Sequence, residues 1–371
     1  MAIVRGGLAG ILLILLSIPL WGQLFPCRWV AQEGTTTSDY VMDVSIGPDG
    51  VFAAGMTGVS GSGWNGWLSK YTLDGDFLWR IHYDEAQSDQ AKRVSALPDG
   101  GCIVSGFVVL TDSDIWLERR AGDGARLWRH TLVKEGSRDA AFAQTYGGGD
   151  TFVLAGTDFV QHWSLAGTLL WSLSLPGMTF LGAAMTTAGA GIWVVGDQGD
   201  LVGLTAQGEI IWWQRLTDEG KEILWRDIAL GPQETFFLGG LASDATGTST
   251  ALVWHYQPAA GIIWRAKWRG WGSAAVNRVR LSADEIILVG AYQAIFRLQT
   301  FLRILDMNGN LKGERIYTAE GNIYPFGADY QLGRTAVGGF FEQRTVLDTW
   351  ELTAYGTKDG FLAVWPLPVK N

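Results

Sequence analysis

Cysteine and histidine are nearly missing from this chain of 371 residues, with two and four copies respectively. So few thiols exclude a disulfide-stapled scaffold or a cysteine-rich metal module. Charge is also sparse. Charged residues make up 18% against 47% hydrophobic, which excludes a disordered chain solvated by its own charge. With 28 Lys+Arg against 37 Asp+Glu the net charge is -9, so nucleic acid and anionic surfaces are poor partners. What the chain does have is glycine and tryptophan, 50 and 19 copies. That composition points to a β-rich globular protein with many turns.

Long apolar runs are absent except near the start, where Arg5 precedes a stretch from Leu8 to Leu20. This is the pattern of an export signal, and it is short for a membrane span, which needs about 20 apolar residues. Pro19, Gly22 and Gln23 break the run, so residues 1–22 are expected to be a signal peptide or an uncleaved N-terminal anchor, with lipidation at Cys27 as a third outcome. All three imply export, to the periplasm, the cell surface or the medium. Any membrane contact is expected only through this segment.

Internal repeats determine the expected fold. An apolar run ending in glycine recurs at Gly55, Gly106, Gly156, Gly196, Gly239, Gly290 and Gly338, spaced by 51, 50, 40, 43, 51 and 48 residues. A glycine turn, an aliphatic pair and a tryptophan follow the first five copies, ending at Trp79, Trp128, Trp171, Trp212 and Trp264, and a degenerate sixth ends at Gly313. A turn such as Pro48-Asp49-Gly50 or Pro98-Asp99-Gly100 precedes the glycine runs. Each repeat reads as four short strands, which is a β-propeller blade. The last repeat ends after its third strand, while Trp29–Gly50 aligns without gaps to Trp79–Gly100, so residues 29–33 are an outer strand with no blade of their own. The expectation is an all-β, seven-bladed β-propeller of four-stranded antiparallel blades over residues 27–371, closed by the N-terminal strand completing the last blade.

These motifs resemble the secreted bacterial and archaeal propellers with quinoprotein-like (PQQ-like) or bacterial β-propeller repeats, a WD40-like architecture. The resemblance covers nearly all of the chain after residue 22, and it implies a fold more than an activity. Quinone-dependent dehydrogenases share the Gly-x-x-x-Trp turn, but they are longer, have eight motifs and carry an adjacent cysteine pair, whereas Cys27 and Cys102 fall on different blades. The outer-membrane assembly propeller, a scaffold lipoprotein, is similar in size but has eight blades and a stronger lipidation signal.

No catalytic, cofactor or metal set emerges. His162 and His255 share one repeat column, nine residues before Trp171 and Trp264, which marks a framework position rather than a single-site base. His82 and His130 follow Trp79 and Trp128 on outer strands. The tryptophan column reads as packing between neighbouring blades.

In an up-and-down blade the tight 1–2 and 3–4 turns share one face, and the 2–3 loops and blade crossings share the other. The second kind vary in length, as binding loops on a rigid scaffold do. The longest insert, 341–358, carries Arg344, Asp348, Trp350 and Tyr355; with Trp64, Asp112, Trp225 and Asp244 these form the expected partner-binding rim. The expected function is an exported, non-enzymatic scaffold at the cell envelope, monomeric, binding a protein or carbohydrate. The alternatives are a glycosidase- or lyase-like propeller with carboxylates at the channel mouth, or an assembly-type scaffold lipoprotein.

Overall fold

The computed structural model describes residues 26–59, 63–86, 88–109, 113–132, 141–186, 191–270 and 272–366. The expected signal segment, 1–22, lies outside them. Alternating apolar strands joined by glycine turns give β-sheets arranged around a central channel. The first two blades are β2 (Asp39–Ile46), β3 (Val51–Gly58), β4 (Trp64–Tyr71) and β5 (Phe77–Tyr83), then β6 (Ser88–Ala96), β7 (Cys102–Val109), β8 (Ser113–Arg120) and β9 (Arg126–Leu132). Next comes a six-stranded sheet of β10 (Ala141–Tyr146), β11 (Thr151–Ser164), β12 (Leu169–Met185), β13 (Gly191–Gly196), β14 (Asp200–Thr205) and β15 (Ile210–Arg215). A five-stranded sheet follows, with β16 (Thr217–Asp218), β17 (Lys221–Leu230), β18 (Phe236–Ser243), β19 (Ser249–Gln257) and β20 (Gly261–Trp268). Then come β21 (Ala274–Leu281), β22 (Glu285–Ala294), β23 (Arg297–Asp306) and β24 (Leu311–Tyr317). The last blade joins β25 (Ile323–Gln331), β26 (Arg334–Phe341) and β29 (Asp359–Pro366) to β1 (Trp29–Glu33), and a separate hairpin, β27 (Arg344–Leu347) with β28 (Trp350–Thr353), is inserted before β29.

The expectation of seven four-stranded blades is therefore corrected to six blades. The reason is local: β11 and β12 each run unbroken through two repeat segments. The third and fourth sequence repeats consequently share one hydrogen-bonded sheet. The N-terminal strand lies antiparallel to β29 in continuous register from Trp29 opposite Val364 to Glu33 opposite Gly360, so the last sheet has no free outer edge on β29.

Tryptophan fastens the fourth strand of one repeat to the next repeat. Trp29 donates its indole N–H to the Leu73 carbonyl at 3.1 Å, and Trp79, Trp128, Trp171 and Trp264 donate to Gly122, Leu165, Ala206 and Met307. Each acceptor sits in the following 3–4 turn. The turn glycine lies under the ring: a Cβ on Gly208, at φ +87°, would come within 2.8 Å of Trp171. Glycine is needed there both for the left-handed backbone and for the close approach. At two of these junctions the residue paired across from the tryptophan adds a second tie. Lys70, opposite Trp79, is 1% exposed and reaches the Gly100 and Gly122 carbonyls, while Arg119, opposite Trp128, reaches Leu165.

Two junctions depart from this rule. Gly261 precedes Trp264 by three residues instead of four, and the Trp212 indole nitrogen beside that turn finds no hydrogen-bond partner among the described residues. At the other, β24 carries Gly313 where tryptophan is expected, and the inserted hairpin fills the gap. Leu347 and Leu352 enter the core with Tyr317, Phe341 and Trp365, and Thr345 bonds the Thr318 carbonyl.

His162 and His255 pair directly with Trp171 and Trp264, and His255 stacks on Phe237 at 4.2 Å. Burial holds both imidazoles below the ordinary histidine value of 6.5. The unfolded chain therefore takes up protons that the fold refuses, and stability falls as pH drops through 6.5. A His162→Gln/His255→Phe variant should lose less melting temperature between pH 7.5 and about pH 5 than the parent, and an equal loss would contradict this. Closure gives a second expectation. Trp29→Ala removes the indole bond and the Tyr71 ring contact at 5.8 Å and should cost about 3–5 kcal/mol in denaturant titration, whereas Ile211→Ala, at a 57% exposed position, should stay within about 0.5 kcal/mol.

Candidate functional site: the channel mouth and its loop face

The inner strands β2, β6, β10, β17, β21, β25 and the second half of β12 line the channel. Each runs from the loop face toward the 1–2 turns, so residues early in these strands surround the loop-face mouth. A carboxylate or hydroxyl on one inner strand ties to the next. Asp43 accepts the Val94 N–H, Asp227 the Val279 N–H and Asp329 the Ile46 N–H, at 3.2, 2.9 and 2.8 Å. Ser45 links to Ala96 in the same way. These carboxylates have a framework role, which argues against their use as a free acid and base pair.

Two cavities lie along the axis. One, of about 290 Å³, opens toward the 1–2 turns and contains Asp43, Asp227, Asp329, Arg93, Arg278 and Arg280. The other, of about 280 Å³, lies at the loop-face mouth and is lined by Met42, Leu181, Leu224, Phe326, Tyr324, Asn277 and three arginines, Arg93, Arg226 and Arg278. Arg226 bonds the Tyr324 hydroxyl at 2.6 Å and also Asn277, both neutral. Arg280, by contrast, is paired with Asp227 at 2.5 Å and lies 3.6 Å from Asp329. The channel is thus polarised: toward the loop face Arg93 and Arg278 share the one carboxylate of Asp43, at 4.0 and 3.8 Å, and Arg226 has only neutral partners. Burial, followed by the neighbouring Arg278, pulls the Arg93 guanidinium down to about 9.

Beside this mouth five aromatic rings meet between the first and last blades. Tyr40 lies 5.4 Å from Trp64, 6.1 Å from Phe326 and 5.3 Å from Phe340, and Tyr324 packs on Phe326 at 5.1 Å. The Lys358 ammonium sits 4.7 Å from the Phe340 ring centre and 5.7 Å from that of Tyr40. Tyr40, Trp64, Tyr324 and Phe326 remain partly exposed. On the same face the two-residue turn of β22 and β23 presents Ile295 and Phe296, 64% and 89% exposed. Ile295 has φ +46°, a left-handed conformation that a β-branched residue adopts only under constraint.

The expected rim is only partly assembled. Trp64 joins the aromatic cluster. Trp225 is fully buried, edge-on to Trp254 at 5.2 Å, because strand alternation points it into the core rather than the rim. Asp244 is half-buried and caps its own turn through Thr246 and Thr248, with Arg269 at 2.8 Å. Asp348 is likewise drawn inside: its carboxylate accepts the Cys27 N–H at 2.6 Å and the Trp365 indole at 3.1 Å and pairs with Arg315. The Asp348 contacts hold the hairpin tip against Cys27, just before β1, so Trp350 lies beside the outer strands β24 and β1 and away from the mouth, and Arg344 pairs with Glu351 at 2.7 Å on that hairpin. Tyr355 is 72% exposed near Gly34. Asp112 lies outside the described residues.

The thiols are not part of this face. Cys27 and Cys102 are both buried and unbridged, and burial pushes Cys27 up to about 12. Among the described residues no group of three or more His, Cys, Asp or Glu is placed to hold a metal ion, and no helix is long and apolar enough to cross a membrane.

Tyr40, Tyr324, Phe326 and Phe340 lie outside the expected rim because they belong to strands, of which loop length and composition carry no sign. A signal was present for Tyr324 and Phe326, aromatics at alternate positions early in an inner strand, but not for Tyr40, alone in β2, or Phe340, near the end of β26. Ile295-Phe296 had a signal too, a two-residue hairpin turn without the glycine, asparagine or aspartate such turns favour.

No family model matches the chain, and no curated protein matches its sequence. Solved structures do: the chain is similar to the WD40 beta propeller domain of Doa1, with TM-score 0.58 and 11% identity over 93% of this chain and 97% of that one. In all 1134 solved chains match, a breadth that specifies an architecture and no single activity. The chain has a WD40-like β-propeller fold.

Proposed function

We propose that this protein is a non-catalytic recognition scaffold, exported to the cell envelope, that binds a protein partner on its loop face. The observation that carries the reading is the partly exposed cluster of Tyr40, Trp64, Tyr324, Phe326 and Phe340 with Lys358, placed by two blades at the channel mouth. Aromatic side chains and arginine on a rigid base are the usual anchors of a protein interface. The Ile295-Phe296 turn adds an apolar tip on the same face. Lys358 and the mouth arginines favour a partner segment with an apolar anchor flanked by acidic groups. The Arg5 to Leu20 pattern supports export, and the repeat motifs support kinship with secreted propellers of the quinoprotein-like class.

The test is crosslinking capture from the native envelope. Tyr40→Ala/Trp64→Ala and, separately, Phe296→Ser should each lower capture about tenfold or more, the scale of a lost hot spot. Trp350→Ala, on the outer wall, should capture normally, and Phe296→Ser should keep its stability within about 0.5 kcal/mol. Undiminished capture by the folded mouth variants, or capture only of glycans, would overturn the proposal.

A further inference from the structure

The loop-face cavity is unusual for a chain with net charge -9, because three of its nine lining residues are arginines and none is acidic. Along the whole channel four guanidiniums, Arg93, Arg226, Arg278 and Arg280, face three carboxylates, and Arg280 already engages two of those. That leaves Asp43 alone between Arg93 and Arg278. Its Oδ1 lies 4.0 Å from Arg93 Nη1 and 3.8 Å from Arg278 Nη2, beyond hydrogen-bond reach of both, while its Oδ2 is held by the Val94 N–H. Arg278 is 7% exposed, and its Nη1 is fixed on the Asn277 carbonyl at 2.9 Å. Its Nη2 is therefore a buried donor directed at the cavities, and it is held in place before any ligand arrives.

We infer that the loop-face cavity binds the carboxylate of an apolar acid, with the acid group on Arg93 and Arg278, Arg226 at the wall, and the body against Leu181, Leu224 and Phe326. Guanidinium groups match the planar, two-oxygen geometry of a carboxylate. One monoanion also neutralises the local excess of cation without displacing Asp43 from its backbone bond. The wall chemistry selects the body: a cavity of about 280 Å³ has room for roughly nine waters, and its apolar lining gains by replacing them with hydrocarbon. Inorganic phosphate lacks that gain. The acid can be a free small molecule or the C-terminal carboxylate of a polypeptide, which share this chemistry. The cavity shares Tyr324 and Phe326 with the aromatic cluster, but acid binding is measured without any protein partner.

Calorimetric titration of the purified full chain tests it, using 3-phenylpropionate, its neutral alcohol 3-phenylpropan-1-ol, inorganic phosphate, and a tripeptide ending in phenylalanine as free acid or amide. One acid should bind per chain, with its neutral counterpart and phosphate at least tenfold weaker; saturation by 3-phenylpropionate marks the small-molecule source and by the tripeptide acid the C-terminal one. Arg226→Gln and Arg278→Gln should each weaken binding at least tenfold. Should Arg278→Gln fail to fold, Asp43→Asn decides the matter: asparagine keeps an acceptor for the Val94 N–H but removes the competing charge, so affinity should rise severalfold. A purely structural arginine cluster would show no such gain. Phe296→Ser should bind acid as the parent does, which separates failure here from failure of partner capture. No saturable binding of either acid, equal binding of acid and neutral analogue, phosphate binding tighter than either acid, or an unaltered affinity in Asp43→Asn would overturn the assignment.

Discussion

An indole laid over a glycine turn is the contact on which the ring depends. Five tryptophans, each from the fourth strand of a repeat, reach across to the next repeat and donate to a turn carbonyl, with the turn glycine beneath the ring. A radial array widens outward, so outer strands of adjacent blades would otherwise face water across a gap that small side chains cannot fill. A large ring with one polar donor closes that gap and satisfies a carbonyl at once. Trp29 makes the same contact from the N-terminal strand and so joins the last sheet to the first blade.

Where the tryptophan is missing, other material takes its place. The β24 position occupied by Gly313 is covered by the inserted hairpin, whose Asp348 gathers Cys27, Arg315 and Trp365 around one carboxylate. An insert that looks like a binding loop in sequence is thus largely a wedge. Its Thr345, Leu347 and Leu352 are buried, while alternate residues such as Arg344, Trp350 and Tyr355 face solvent.

Toward the axis, polar links take over from aromatic ones. Backbone N–H groups on the inner strands are met by Asp43, Asp227, Asp329 and Ser45 of the preceding blade, so these strands are tied to one another along the channel. That rigidity permits the charge separation along the channel. Burying three arginines around one apolar cavity is costly unless the frame that carries them is held elsewhere. The aromatic cluster lies where that frame opens on the loop face.

Local sequence determined the strands, the turn glycines, the tryptophan column and the closing strand 29–33, because each follows from short-range alternation and turn chemistry repeated many times. It could not determine how repeats share hydrogen bonds. Whether β11 and β12 bend or run on depends on their neighbours, and by running on they joined two repeats into one sheet. It also could not place single side chains in depth: Trp225 and Trp64 look alike as loop-edge tryptophans, yet one packs on Trp254 and the other on Tyr40. The arginine-lined cavity is the clearest case. Its residues come from six strands spread between Met42 and Phe326, one or two per strand, and only the closed ring brings them together.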